Sequence, residues 1–228
     1  MKAAGVMIYK ALLTAWDGFW VVWLSEVYFI AFNIIFIGLW ISGVYLPALG
    51  VLIVTGPPGA AGMYYTMKEL AYGESIDWKT YFTGVKKCAW AGYRWAGFNL
   101  LVIGLLVFYA WFFSAAKGGD LTQVLSGVPL ALFLIWAVIQ TFTFPLMLEQ
   151  EKLSYLNALR NSLAVFLKWP GYAAGIVLFN AVILGLSIWL RFPWAVFTFS
   201  LTALVAAYGL KEKLATEPTK EKPNPERI

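Results

Sequence analysis

The chain has 228 residues, of which 61% are apolar and only 13% charged, against about 25% charged in an ordinary soluble domain. A water-soluble globule of this size cannot cover so much apolar surface with polar side chains, so the composition requires lipid as the solvent. Histidine is absent and Cys88 is the sole cysteine, which excludes His-ligated haem or zinc, Ser-His-Asp and Cys-His pairs, and an intramolecular disulfide. The net charge of +5 comes without a basic, aromatic-interleaved stripe on a soluble module, so no nucleic-acid partner is expected.

Taken in chain order, the first helical signal is Trp16, Trp20 and Trp23 at helical spacing beside Asp17. A spanning helix needs about 20 apolar residues. Gly18 to Gly56 carries one charge, Glu26, over 39 residues, enough for two crossings. Next comes a segment with Trp78, Phe82, Val85 and Ala89 on one face and Lys79, Lys86 and Lys87 elsewhere. Trp95 to Ser114 is uncharged and ends at the polar break Lys117-Gly-Gly-Asp120; Leu121 to Leu148 is again uncharged. A second amphipathic segment sets Leu156, Leu159, Leu163 and Phe166 opposite Asn157, Arg160, Asn161 and Lys168. Pro170 to Leu210 then runs 41 residues with only Arg191 inside, so Arg191-Phe-Pro193 reads as the turn of a hairpin.

The expected fold is all-α and polytopic. Six crossings fall at about 25–46, 47–68, 93–116, 127–148, 170–190 and 193–210, paired as three hairpins each preceded by an interfacial amphipathic helix. Residues 1–210 form one integral membrane domain, and 211–228 a disordered cytoplasmic tail, since three prolines and six charges lie beyond Ala215. With both termini inside, 15 of the 17 basic residues are cytoplasmic, and only Lys117 and Arg191 lie outside. That asymmetry is what the positive-inside rule demands. No cleavable signal peptide is read, because a basic start, short apolar core and small-residue cleavage site do not occur in that order.

Three hydrophobic helices carry Asn followed five residues later by Gly: Asn33/Gly38, Asn99/Gly104 and Asn180/Gly185. This pattern implies a pseudo-threefold internal repeat. Two readings of it stay open. The pairs are interhelical packing residues, or the asparagines converge near a shared axis of the odd-numbered helices as a polar site. Glu26, two helical turns before Asn33, is the only acid within a long apolar run, and is either interfacial and structural or part of a binding site. Gly56-Pro-Pro-Gly-Ala-Ala-Gly62 must kink or break its helix, because Pro57 and Pro58 donate no backbone hydrogen bond. The ligand-binding candidates are therefore Glu26, Asn33, Asn99, Asn180, Pro57 and Pro58. Glu149 and Glu151 read as a solvated helix end, a membrane enzyme using them being the weaker alternative, and Cys88 reads as a packing residue. Neither a catalytic constellation nor a metal or cofactor set emerges.

The stretch from Asn33-Ile-Ile-Phe through Gly56-Pro-Pro-Gly-Ala-Ala-Gly-Met-Tyr-Tyr65, with Gly73-Glu74 and Trp78-Lys-Thr-Tyr-Phe82, resembles the YesL-like family of bacterial membrane proteins. Phe144-Pro-Leu-Met-Leu-Glu-Gln-Glu151 and Ala158-Leu-Arg-Asn-Ser162 resemble its later part. The resemblance spans roughly residues 20–210, with Pro57-Pro58 a departure from the single proline usual there. The family has no defined catalytic residues; its members often accompany carbohydrate ABC-transporter permeases. The resemblance thus implies a non-enzymatic accessory or assembly subunit of the bacterial inner membrane. It would sit in the lipid bilayer beside a membrane-protein partner. The alternative is a small transporter or lipid- or solute-binding protein.

Overall fold

The computed structural model describes residues 2–115, 120–190 and 197–216. Among these the chain is all-helical: α1 (Lys2–Asp17), α2 (Phe19–Phe32), α3 (Ile34–Ile41), α4 (Tyr45–Tyr72), α5 (Thr80–Ala115), α6 (Asp120–Leu148), α7 (Tyr155–Lys168), α8 (Pro170–Leu190) and α9 (Thr198–Thr216). The loop Lys117–Gly119 and the turn at Arg191 and Pro193 lie outside the described residues, as does the tail beyond Thr216.

Four helices, α4, α5, α6 and α8, are long and apolar enough to cross a membrane, and α2 with α3 makes a fifth if that pair is one span. Among the described residues four or five of the six expected crossings are therefore long and apolar enough to span. α2 and α3 meet at a 58° bend at Asn33, so the segment expected as the first crossing is two short helices and not one continuous helix. α9, expected to cross over 193–210, does not meet the criterion. It ends in Lys211, Glu212 and Lys213, and its length from Thr198 to Leu210 is mostly buried against protein. The helix also runs through Lys211 to Thr216, residues assigned to a disordered tail. Three contacts hold it there: the Lys211 ammonium donates to the Ala71 carbonyl at 2.7 Å, Glu212 pairs with Lys10 at 3.5 Å, and Lys213 lies 4.4 Å from the Tyr172 ring centroid.

α5 has 36 residues, about 54 Å at 1.5 Å per residue, well beyond the ~30 Å hydrocarbon core. Its amphipathic start and its apolar span are one continuous helix instead of two elements. The start packs on α4 through glycine. A Cβ at Gly92 would lie 2.6 Å from the Pro57 carbonyl oxygen, and one at Gly84 would lie 2.6 Å from Tyr65 Cβ. In lipid, where no hydrophobic force drives helices together, such close backbone approach is what holds them.

α4, α6 and α9 pack on one another. Each also receives an amphipathic segment: the start of α5 lies on α4, α7 on α6 and α1 on α9. The three C-terminal ends meet at one basic end of the bundle. There Lys211 donates to α4, Lys68 donates to the Leu148 carbonyl of α6 at 2.9 Å, and the Tyr172 hydroxyl donates to the Gly209 carbonyl of α9 at 2.9 Å. The Ala71 and Leu148 carbonyls, in the last turns of α4 and α6 where a helix leaves carbonyls without an internal partner, are thus supplied with cationic donors.

The faces that make these contacts match the expected apolar stripes only in part, through Val85, Leu159 and Phe166. In α5 the buried residues are Tyr81, Gly84, Cys88, Ala91 and Gly92, whereas Phe82 and, just before the helix, Trp78 are exposed. In α7 they are Tyr155, Ala158 and Ser162, and Leu156 and Leu163 are exposed. Small residues and two tyrosines face protein, and Trp78, Phe82, Leu156 and Leu163 face outward, as lipid permits.

Candidate functional site

Glu26 is fully buried. Its carboxylate accepts the backbone N–H of Ser200 at 2.8 Å and that of Phe199 at 3.3 Å. These are N–H groups of the first turn of α9, which have no partner within their own helix. An acid from α2 therefore supplies both the acceptor and the negative charge that a helix N-terminus favours. One residue earlier, Thr198 Oγ1 lies 2.7 Å from Ser187 Oγ of α8. The start of α9 is thus fastened to two different helices.

Asn33 stands at the α2–α3 bend and is 4% exposed. Its Nδ2 donates to the Phe29 carbonyl at 2.8 Å, and its Oδ1 accepts from Thr55 Oγ1 of α4 at 3.1 Å. The side chain lies over Gly56 and Gly59, where an added Cβ would come within 3.7 and 3.6 Å of its amide atoms. The Gly-Pro-Pro-Gly stretch thus provides the shallow surface on which the bend rests.

α4 passes through Pro57 and Pro58 as one 28-residue helix, so of the expected kink or break the break is absent. A proline at 58 deprives the Val54 carbonyl of its usual donor four residues on. Tyr93 of α5 replaces that donor, its hydroxyl reaching Val54 O at 2.6 Å, while the Tyr81 hydroxyl reaches Gly59 O at 2.8 Å. Neighbouring side chains satisfying a carbonyl freed by proline is how membrane helices tolerate the residue.

Asn99 belongs to a network that the sequence reading missed. Gln140 Oε1 accepts from Trp95 Nε1 at 2.9 Å and from Asn99 Nδ2 at 3.2 Å; Asn99 Oδ1 accepts from Trp136 Nε1 at 2.9 Å; Gln140 Nε2 donates to the Tyr155 hydroxyl at 3.2 Å. The signal available was an amide, Gln140, inside the uncharged run Leu121–Leu148. Burial pushes the Tyr155 hydroxyl above its ordinary pKa, although its hydrogen bond with Gln140 opposes the shift.

Asn180, on α8, is partly buried, and its Oδ1 is buried without a hydrogen-bond partner among the described residues. The three asparagines do not meet. Asn33 and Asn99 each bond the second helix of their own hairpin, and α5, α8 and the α2–α3 pair share no substantial packing. Gly38, Gly104 and Gly185 have no atom within 4 Å of an added Cβ, so within the chain they are not sites of close approach either. Among the expected candidates the structure brings together Asn33 and the Pro57 region, with Glu26 nearby across Phe29 and Phe199, whose rings lie 5.3 Å apart.

Glu149 pairs with Lys68 at 3.6 Å, and Glu151 is exposed. Cys88 is buried in the main core cluster. Among the described residues no three of Cys, Asp and Glu gather as metal ligands.

One apolar cleft of about 420 Å³ opens between α2, α4, α5 and the start of α9, walled by Phe29, Ile53, Pro57, Met63, Trp95 and Leu100. A polar surface groove lies at the basic end, lined by Gln150, Glu151, Lys152, Asn157, Arg160 and Asn161. No protein-family profile, curated protein or solved structure matches the chain. What the molecule can do is therefore read from these two hollows and the groups that line them. The cleft offers apolar contact and no free acid or base for proton transfer. The groove offers both charges and amides on an exposed helix face.

Proposed function

We propose that the chain is a non-enzymatic accessory or assembly subunit of the bacterial inner membrane, with both termini cytoplasmic, and that it docks a membrane-protein partner at its basic end. The observation that carries this reading is the engagement of the intramembrane polar groups. Glu26, Asn33, Asn99 and Gln140 are all bonded to neighbouring helices, leaving none of them free to line a polar passage or to move a proton. The polar faces that remain open, on α7 and at the start of α5, lie at the end where Lys68, Lys211 and Lys213 gather.

The six-crossing, pseudo-threefold plan belongs to this proposal. The mutual packing of α4, α6 and α9, each with its own amphipathic segment, supports an axis lined by the second helix of each hairpin, not by the asparagine-bearing first helices. The resemblance to the YesL-like family suggests a carbohydrate ABC-transporter permease as the partner.

A second reading, a solute-binding or transport protein, is favoured by the unpartnered Asn180 Oδ1. Purification from native membranes in mild detergent, followed by mass spectrometry of the intact assembly, separates the two. The subunit reading expects a stoichiometric integral membrane partner that is lost on Arg160→Glu. An isolated chain retaining a polar solute, with the solute lost on Asn180→Leu, would establish the second reading instead.

A further inference from the structure

We propose that the apolar cleft holds one acyl chain of an anionic glycerophospholipid from the leaflet at the basic end, with its phosphate against Arg94. At about 420 Å³ the cleft falls in the size range of ligand pockets, roughly 300–1,000 Å³. Its walls are almost wholly carbon, and its α5 side is open: a Cβ at Gly97 would meet nothing within 4 Å. A hollow of this kind beside lipid forfeits dispersion contacts unless a chain fills it.

The headgroup position follows from the register of α5. Lys86, Trp90, Arg94 and Gly97 succeed one another at spacings of four, four and three, so they share one strip of the helix, and all four are exposed. Gly97 is at the cleft. One turn toward the basic end, the Arg94 guanidinium lies over the Trp90 ring at 5.5 Å. Neither Arg94 nor Lys86 has a carboxylate partner among the described residues. Arg94 is also the last charge before the uncharged run that starts at Trp95. A cation there marks the water–lipid boundary, where a phospholipid carries its phosphate, and from that height a tail runs along Gly97 and Leu100 into the cleft. Arg94 next to the entrance and Lys86 two turns below it, both without a carboxylate partner among the described residues, favour an anionic over a zwitterionic headgroup. The inference holds with or without a protein partner.

The test uses the full chain in nanodiscs of equimolar phosphatidylglycerol and phosphatidylcholine, released into mild detergent, with retained lipids counted by native mass spectrometry. The wild type is expected to retain phosphatidylglycerol preferentially. Arg94→Gln, a surface change, should lower that retention roughly fivefold. Gly97→Leu, which projects into open space and fills the cleft, should abolish it without lowering the melting temperature. Equal retention of the two lipids by the wild type would overturn the proposal. So would undiminished phosphatidylglycerol retention in either variant.

Discussion

A carboxylate withdrawn from water must find other donors, and those of Glu26 are the backbone N–H groups at the start of α9. Each is left without an acceptor if the acid is shortened, at a cost of roughly 1–3 kcal/mol for a buried unsatisfied group. Glu26→Ala is therefore expected to lower the melting temperature in detergent by several degrees, and Glu26→Gln, which keeps an acceptor, by less. A scanning-fluorimetry series of the two variants checks the order. The tyrosines act on the same principle at carbonyls. Removing the Tyr93 hydroxyl leaves Val54 O without the donor that Pro58 denies it, so Tyr93→Phe should cost about 0.5–1.5 kcal/mol. Restoring a backbone donor with Pro58→Ala should reduce that cost in a double-mutant cycle. That an acid at position 26 is unusual was legible in the residue alone. Its partner was not, because the two are separated by more than 170 positions and nothing in the local pattern of α9 asks for a carboxylate.

Among the helices, the lesson lies in which faces are buried. Trp78, Phe82 and Val85 form the obvious apolar stripe before the second span, yet of these only Val85 reaches α4, and Tyr81 and Gly84 complete the contact. In water the larger apolar side chains would have been inside; in lipid they lose nothing by facing out, and the small residues determine where backbones meet. The same inversion explains why the apolar runs were legible as helices, with Pro170–Leu190 matching the expected span, while their packing was not. It also explains why Gly38, Gly104 and Gly185, chosen for their repeat, touch nothing, whereas Gly92 is indispensable. Gly92→Ala is expected to destabilise by about 1–3 kcal/mol through overpacking against the Pro57 carbonyl. Gly104→Ala should be neutral or stabilising by about 0.5–1 kcal/mol, as alanine favours the helix. Thermal melts of the two single variants distinguish a packing glycine from a lipid-facing one.

For the whole molecule, one asymmetry organises everything else. Lys68, Lys211 and Lys213 lie at one end, where they supply helix C-termini or rest on aromatic rings, and the groove along α7 opens at the same end. The proposed docking surface requires that end to face the cytoplasm, the orientation the positive-inside rule predicts from the basic residues. Substituted-cysteine labelling in a Cys88→Ala background tests this most directly, with Asn157→Cys on the exposed face of α7 and Gly118→Cys in the polar break expected to lie outside. An impermeant maleimide added outside intact cells is expected to label the Gly118→Cys protein and to label the Asn157→Cys protein only after the membrane is opened. Labelling of Asn157→Cys from outside, with Gly118→Cys protected, would contradict the orientation on which the account rests.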